Sequence, residues 1–178
     1  MKKYVGIAIL STFIACTNAE KKADQKADAI AKTDSVANNI NVELADPKIE
    51  NIYNGYINLK NALVNSNAAA AHQSAADLSV SLKAYEGCEN TALIADKIAG
   101  SEDLKVQRKE FTALSSDVIA MFKHADLKKG NIYVQHCPMA NNGDGGDWLS
   151  SEQKIRNPYY GDEMLECGAV LEKITVKK

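Results

Sequence analysis

Between Pro47 and Gly130 one pattern recurs four times: apolar residues every third or fourth position, then a stop. Asp46 can cap a first helix and Pro47 suits its first turn, where the missing N–H costs nothing. Ile49, Ile52, Tyr53, Tyr56, Leu59 and Leu63 then fall on one helical face. After Asn65-Ser66-Asn67, a second stripe runs through Ala71, Ala75, Leu78, Leu82 and Tyr85 to Gly87. Its small residues let a neighbouring helix approach closely. A shorter helix with Ala92, Leu93, Ala95, Ile98 and Ala99 stops at Gly100. Ser101 is expected to cap a long fourth helix carrying Leu104, Arg108, Phe111, Leu114, Val118, Met121 and Phe122 inward. Lys123, His124, Lys128 and Lys129 suit the negative end of its dipole, and Gly130 closes it. Four such helices joined by short loops predict a mainly α chain organised as an antiparallel four-helix bundle.

Beyond Gly130 the periodicity breaks down into an irregular α/β segment, expected to hold a short strand pair and two short helices. Ile132-Tyr133-Val134 reads as a strand that Pro138 stops. Ala169 to Val176 alternates as a closing strand able to pair with Ile132–Gln135. Asn141 to Asp147 is a glycine-rich loop lacking the ligand order of a calcium loop. Ser150 and Gln153 match a capping box, so a short helix is expected there. A second is expected from Asp162, carrying Met164, Leu165 and Cys167. Trp148, Tyr159 and Tyr160 are the expected anchors of the segment, with Arg156 paired to Asp162 or Glu163.

The front of the chain reads differently. Lys2-Lys3, an apolar run from Tyr4 to Ile14 and then Ala15-Cys16 have the build of an export signal over residues 1–15. The run is too short for a membrane span, which needs roughly 20 apolar residues. Phe13-Ile14-Ala15-Cys16 resembles the lipobox of bacterial lipoproteins, which implies cleavage before Cys16 and a diacylglycerol on its sulfur. Residues 16–46, rich in Ala, Lys, Asp and Asn, read as a flexible tether, and 47–178 as the folded domain. Losing residues 1–15 removes two lysines and takes the formal net charge from −2 to −4. That balance offers no footprint for nucleic acid. The expectation is a lipid-anchored, periplasm-facing protein of the bacterial cell envelope.

His136-Cys137-Pro138-Met139-Ala140, followed by Trp148-Leu149-Ser150, Ile155 to Gly161 and Met164 to Gly168, resembles a domain of unknown function from bacterial envelope lipoproteins. The same domain is appended to adaptor subunits of copper/silver efflux pumps. The resemblance spans roughly residues 50–176 and is most specific in the C-terminal block. It implies a heavy-metal efflux adaptor as partner. Tyr133 with Cys137-Pro138-Met139 is also similar to the core of short heavy-metal-binding domains, although Ala140 stands where those have His.

The chemistry-bearing residues are the sulfurs. Cys137 and Met139 share one side of an extended chain, and Met164 and Cys167 share one face of a helical turn. Four sulfurs meeting at one point would suit Cu(I) or Ag(I), because thiolate and thioether donors select soft ions. His72 and His136 are candidate nitrogen ligands, the latter pointing away from Cys137 by alternation. Zinc wants paired C-x-x-C spacing, which is absent. The alternative is a Cys137–Cys167 disulfide stapling a structural or protein-interaction module, and an exported chain lives where disulfides persist. Both readings stay open. Cys88 reads as a small buried hydrophobe. The sequence carries no G-x-S-x-G, H-E-x-x-H, phosphate loop or C-x-x-C, so a non-enzyme is expected.

Overall fold

The computed structural model describes residues 41–177. The export signal, Cys16 and the tether up to residue 40 lie outside the described residues. Among the described residues a short strand precedes four helices and further strands follow them, forming two small antiparallel sheets in a mainly helical and partly sheet architecture.

Helix α1 spans Pro47–Val64, and the Asp46 carboxylate accepts the Lys48 N–H at 2.8 Å as its cap. Ile52, Tyr53, Tyr56, Leu59 and Leu63 are fully buried, so the first stripe is the core-facing one. Asn67 caps α2 (Ala68–Lys83) by accepting the Ala70 N–H. Ala71, Ala75, Leu78 and Leu82 are buried along it. Gly55 of α1 sits against Leu78, and an added Cβ there would meet its side chain at 3.3 Å. Small residues on both helices therefore bring their backbones together. Helix α3 (Glu89–Ala99) buries Ala92, Ala95 and Ile98 but leaves Leu93 exposed, one step off the inner face.

Helix α4 spans Leu104–Phe122 and buries Phe111, Leu114, Val118 and Phe122. Its cap is Asp103, accepting from Lys105 N–H, while the Ser101 hydroxyl accepts from Asp103 N–H and shapes the turn before it. Lys128 and Lys129 do not end the helix. They lie in β2 (Leu127–Lys129), antiparallel to β1 (Glu43–Leu44). The last residues of the expected tether are thus built into the fold: Val42 and Leu44 are buried, and Leu44 N–H donates to Glu50. Gly130 has φ +85°, and a side chain there would collide with the Asn41 carbonyl, so only glycine lets the chain turn into the next strand.

Strands β3 (Asn131–Cys137), β4 (Gly146–Ser150) and β5 (Ala169–Thr175) form an antiparallel sheet in the order β4-β3-β5. The pairing of β5 with β3 matches expectation, and β3 ends one residue before Pro138. Three expectations fail. The sheet has three strands, because Gly146–Ser150 pairs with β3 instead of ending a loop. Ser150 caps no helix: its hydroxyl accepts from Glu152 N–H within a series of bends. The helix from Asp162 shrinks to a 3-10 turn at Gly161–Glu163, and Met164 leaves it at φ −144°, ψ 48°. Neither stretch carries an apolar stripe long enough to repay helix nucleation.

The sheet is fastened to the helices through aromatic side chains. Tyr56 stacks on Phe111, Phe111 meets Tyr159, and Tyr159 meets the edge of Trp148 at a centroid distance of 6.1 Å. Arg108 supplies the polar fastening that Arg156 was expected to give. It donates to Pro158 O at 2.9 Å, Leu63 O at 3.1 Å and Ser66 Oγ at 2.9 Å. None of the described helices is long and apolar enough to cross a membrane.

Candidate functional site: a thiol pair

Cross-strand partners share a face of a sheet. Gln135 pairs with Trp148 and Cys137 with Gly146, so Gln135, Cys137 and Trp148 lie on one face of β3-β4. His136 and Asp147, paired with each other, lie on the opposite face. Residues 151–168 fold back over the Cys137 face. Gln135 organises that return: its amide nitrogen donates to the carbonyls of Glu152, Gln153 and Lys154, while its oxygen accepts from Trp148 Nε1 at 2.8 Å.

Asn157, fully buried, sets the next part of the path. Its backbone N–H donates to Leu165 O at 2.9 Å, its side-chain amide to Cys167 O at 3.1 Å, and its side-chain oxygen accepts from Tyr159 N–H at 2.8 Å. Gly168 follows with φ +146°, and an added Cβ would stand 2.6 Å from His136 O and 3.1 Å from Trp148. The absence of a side chain at this position lets the arm lie against β3. Asn157 and Gly168 together fix Cys167. Neither role was read from the sequence, although Asn157-Pro158 and a glycine directly after Cys167 were its visible marks.

The result is a contact between two sulfurs thirty residues apart: Cys137 Sγ and Cys167 Sγ are 3.3 Å from each other. Both are free thiols. Cys137 is fully buried, whereas Cys167 is partly exposed. The hydrogen bond with Cys137, reinforced by burial, pushes the Cys167 thiol above the ordinary thiol range. A proton shared between two sulfurs resists removal from the pair.

The local structure around the other expected ligands departs from what their spacing predicted. Pro138 to Ala140 form a turn, with Ala140 N–H bonded to Cys137 O. The two-residue parity of an extended chain is lost there, and Met139 stands 53 % exposed. The helical face meant to carry Met164 beside Cys167 does not exist. His136 Nδ1 lies 2.7 Å from Asp147 Oδ1, on the far side of the sheet from Cys137. His72 is exposed on α2, a helix packed on α1 and α3. Cys88, buried at the start of α3, keeps its thiol pushed up by burial, Glu89 and Asp117. Among the described residues, no group of three or more His, Cys, Asp or Glu is arranged to hold a metal ion. Of the six expected ligands, Cys137 and Cys167 are the two whose side chains are in contact.

Comparison with protein families finds a partial match. Residues 52–130 match the model of a protein of unknown function (DUF3347). The match runs from within α1 through α4 and β2, less than half of the chain, and stops before the thiol pair. The resemblance was expected to run to residue 176 and to be most specific in the C-terminal block; the family match lies on the helices instead. No curated protein and no solved structure matches the chain.

Proposed function

We propose that the protein is a lipid-anchored component of the bacterial envelope that takes up one soft monovalent ion, Cu(I) or Ag(I), between the thiolates of Cys137 and Cys167. The observation that carries this reading is the 3.3 Å approach of the two sulfurs on a rigid support. Thiolates select soft ions, and a pair that joins no group of three or more His, Cys, Asp or Glu among the described residues offers little to zinc, which wants four ligands, or to calcium, which wants oxygen. The ion is cargo, buffered or handed onward, with a heavy-metal efflux adaptor as the proposed recipient. On this reading the protein acts as a binder.

The helices, read as an antiparallel bundle, are the scaffold, and the Cys16 lipid is the anchor. More than one acyl chain makes such an anchor durable. Titration of the reduced protein against a Cu(I)-selective chelator tests the reading. Transfer of one equivalent of Cu(I), lost in Cys137→Ser and in Cys167→Ser, supports it. A titration in which the chelator keeps all the copper contradicts it.

The same short approach favours a second reading, a disulfide-stapled interaction module. A bond across this thirty-residue separation would add about 3–4 kcal/mol in the chain-entropy model. Intact mass after alkylation, with and without prior reductant, separates an oxidised pair from a reduced one.

A further inference from the structure

The two sulfurs of the pair are not equivalent. Cys137 ends the central strand β3 and is fully buried under the returning segment, with Gly146 as its cross-strand partner. Cys167 sits at the last turn before β5, partly exposed, between the exposed residue Glu166 and Gly168. An incoming molecule can therefore reach Cys167 but not Cys137. Once Cys167 carries a substituent, the nearest nucleophile to its sulfur is Cys137 Sγ, at 3.3 Å in the resting state.

We propose that Cys167 is the entry sulfur and Cys137 the resolving sulfur of a thiol–disulfide exchange that switches the pair between a dithiol and a disulfide. This deepens the proposed metal site by assigning its regulation, since a disulfide has no thiolate to donate. The co-reactant is a disulfide, R–S–S–R. The Cys167 thiol first loses its proton to solvent, and the thiolate attacks one sulfur of the co-reactant, forming a Cys167–S–R bond as the R–S–S–R bond breaks and releasing one R–S⁻, which takes up a proton. Cys137 then loses its proton and attacks Cys167 Sγ. The Cys137–Cys167 bond forms and the second R–S⁻ leaves to become R–SH. The chain gives up two electrons and two protons, and the co-reactant becomes two thiols.

The asymmetry supplies the direction. Attack on an exposed sulfur followed by displacement from a buried neighbour leaves no long-lived adduct, because the second step is intramolecular. Asn157 and Gly168 hold the Cys167 backbone against β3, so the resolving step needs side-chain motion alone.

Two experiments on the metal-free, full chain test the order of attack. In the first, reduced wild-type protein is treated with limiting iodoacetamide and peptide-mapped. Cys167 is expected to be alkylated at least tenfold faster than Cys137; equal or reversed rates overturn the proposal without recourse to any variant. In the second, reduced wild type, Cys137→Ser and Cys167→Ser are exposed to oxidised glutathione. The expected products are a Cys137–Cys167 disulfide without adduct in the wild type, a stable glutathione adduct on Cys167 in Cys137→Ser, and no adduct on Cys137 in Cys167→Ser. A lasting adduct in the wild type, or ready labelling of Cys137 in Cys167→Ser, overturns it. Neither readout contains metal, so failure here leaves the copper titration standing, and failure of that titration leaves this order of attack intact.

Discussion

Tyr56, in the middle of α1, accepts a hydrogen bond from the backbone N–H of Leu149, 93 residues later in β4, at 3.1 Å. The same hydroxyl lies 2.7 Å from Ser115 Oγ of α4. One buried side chain thus ties two helices to the strand next to the thiol-bearing one. Tyr56→Phe keeps the ring but leaves the Leu149 N–H and the Ser115 hydroxyl without this partner. A buried donor left unpaired costs about 1–3 kcal/mol. Urea unfolding is expected to show a loss of that size with the slope unchanged, and an unchanged midpoint would remove Tyr56 from the account.

Burial raises the hydroxyl pKa of Tyr53, Tyr56 and Tyr159 well above the ordinary tyrosine value, with burial the leading cause in each. The unfolded chain loses these protons from about pH 10, while the folded chain keeps them. The folded state then binds more protons than the unfolded one, so stability falls as pH rises. The contribution is intact below about pH 10 and is lost progressively above it. Unfolding free energies measured at steps from pH 8 to 11 are expected to decline most steeply beyond that point.

Lys60 works in the opposite direction. It is 4 % exposed on α1, and burial lowers its pKa to about 8, with nearby Arg156 adding to the shift and Glu152 opposing it. Below that pH the folded protein holds a charge it accommodates poorly. Between there and the unfolded lysine value near 10.4 the unfolded state binds more protons, so this group's contribution to stability rises with pH. Lys60→Met is expected to stabilise the protein at pH 7 by about 1–3 kcal/mol, a gain that shrinks towards pH 10. Chemical denaturation of the pair of proteins at both pH values checks the sign.

Gly168→Ala tests the support of the site. Its φ of +146° and the 2.6 Å approach to His136 O leave no room for a methyl group. The arm must lift from β3, carrying Cys167 away from Cys137. The helical circular dichroism is expected to persist while oxidation of the pair by glutathione disulfide slows at least tenfold. Unchanged oxidation would show that Gly168 does not hold Cys167 in place.

Metal uptake displaces thiol protons, and the pushed-up Cys167 thiol remains protonated at neutral pH. Affinity for Cu(I) is therefore expected to rise at least tenfold per pH unit from pH 6 to 8, one proton released giving one decade. Chelator competition at three pH values reads the slope, and a flat profile would exclude Cys167 as a ligand.

The helices and the site differ in how far the sequence revealed them. The stripes through Ile52, Tyr56, Leu59 and Leu63, and through Phe111, Leu114 and Val118, announce their elements because burial on one face repeats locally. Strand β4 hides because Trp148 and Leu149 are both buried, which erases the alternation a half-exposed strand shows. Val42 and Leu44 hide because two residues make no period. The approach of Cys137 and Cys167 was anticipated from sulfur at both ends of one segment. The means was not: a helical turn was expected, whereas Gln135, Asn157 and Gly168 route the chain through tertiary hydrogen bonds and a close backbone approach. Met139 and Met164 were assigned by local periodicities that the turns at both places abolish.

Copper X-ray absorption on the reduced protein loaded with one equivalent of Cu(I) tests the thiol-pair site most directly. Two sulfur neighbours and no nitrogen or oxygen in the first coordination shell are expected, with the spectrum unchanged in Met139→Leu and Met164→Leu. A shell containing imidazole nitrogen or additional sulfur, or copper that stays with the buffer, would contradict it.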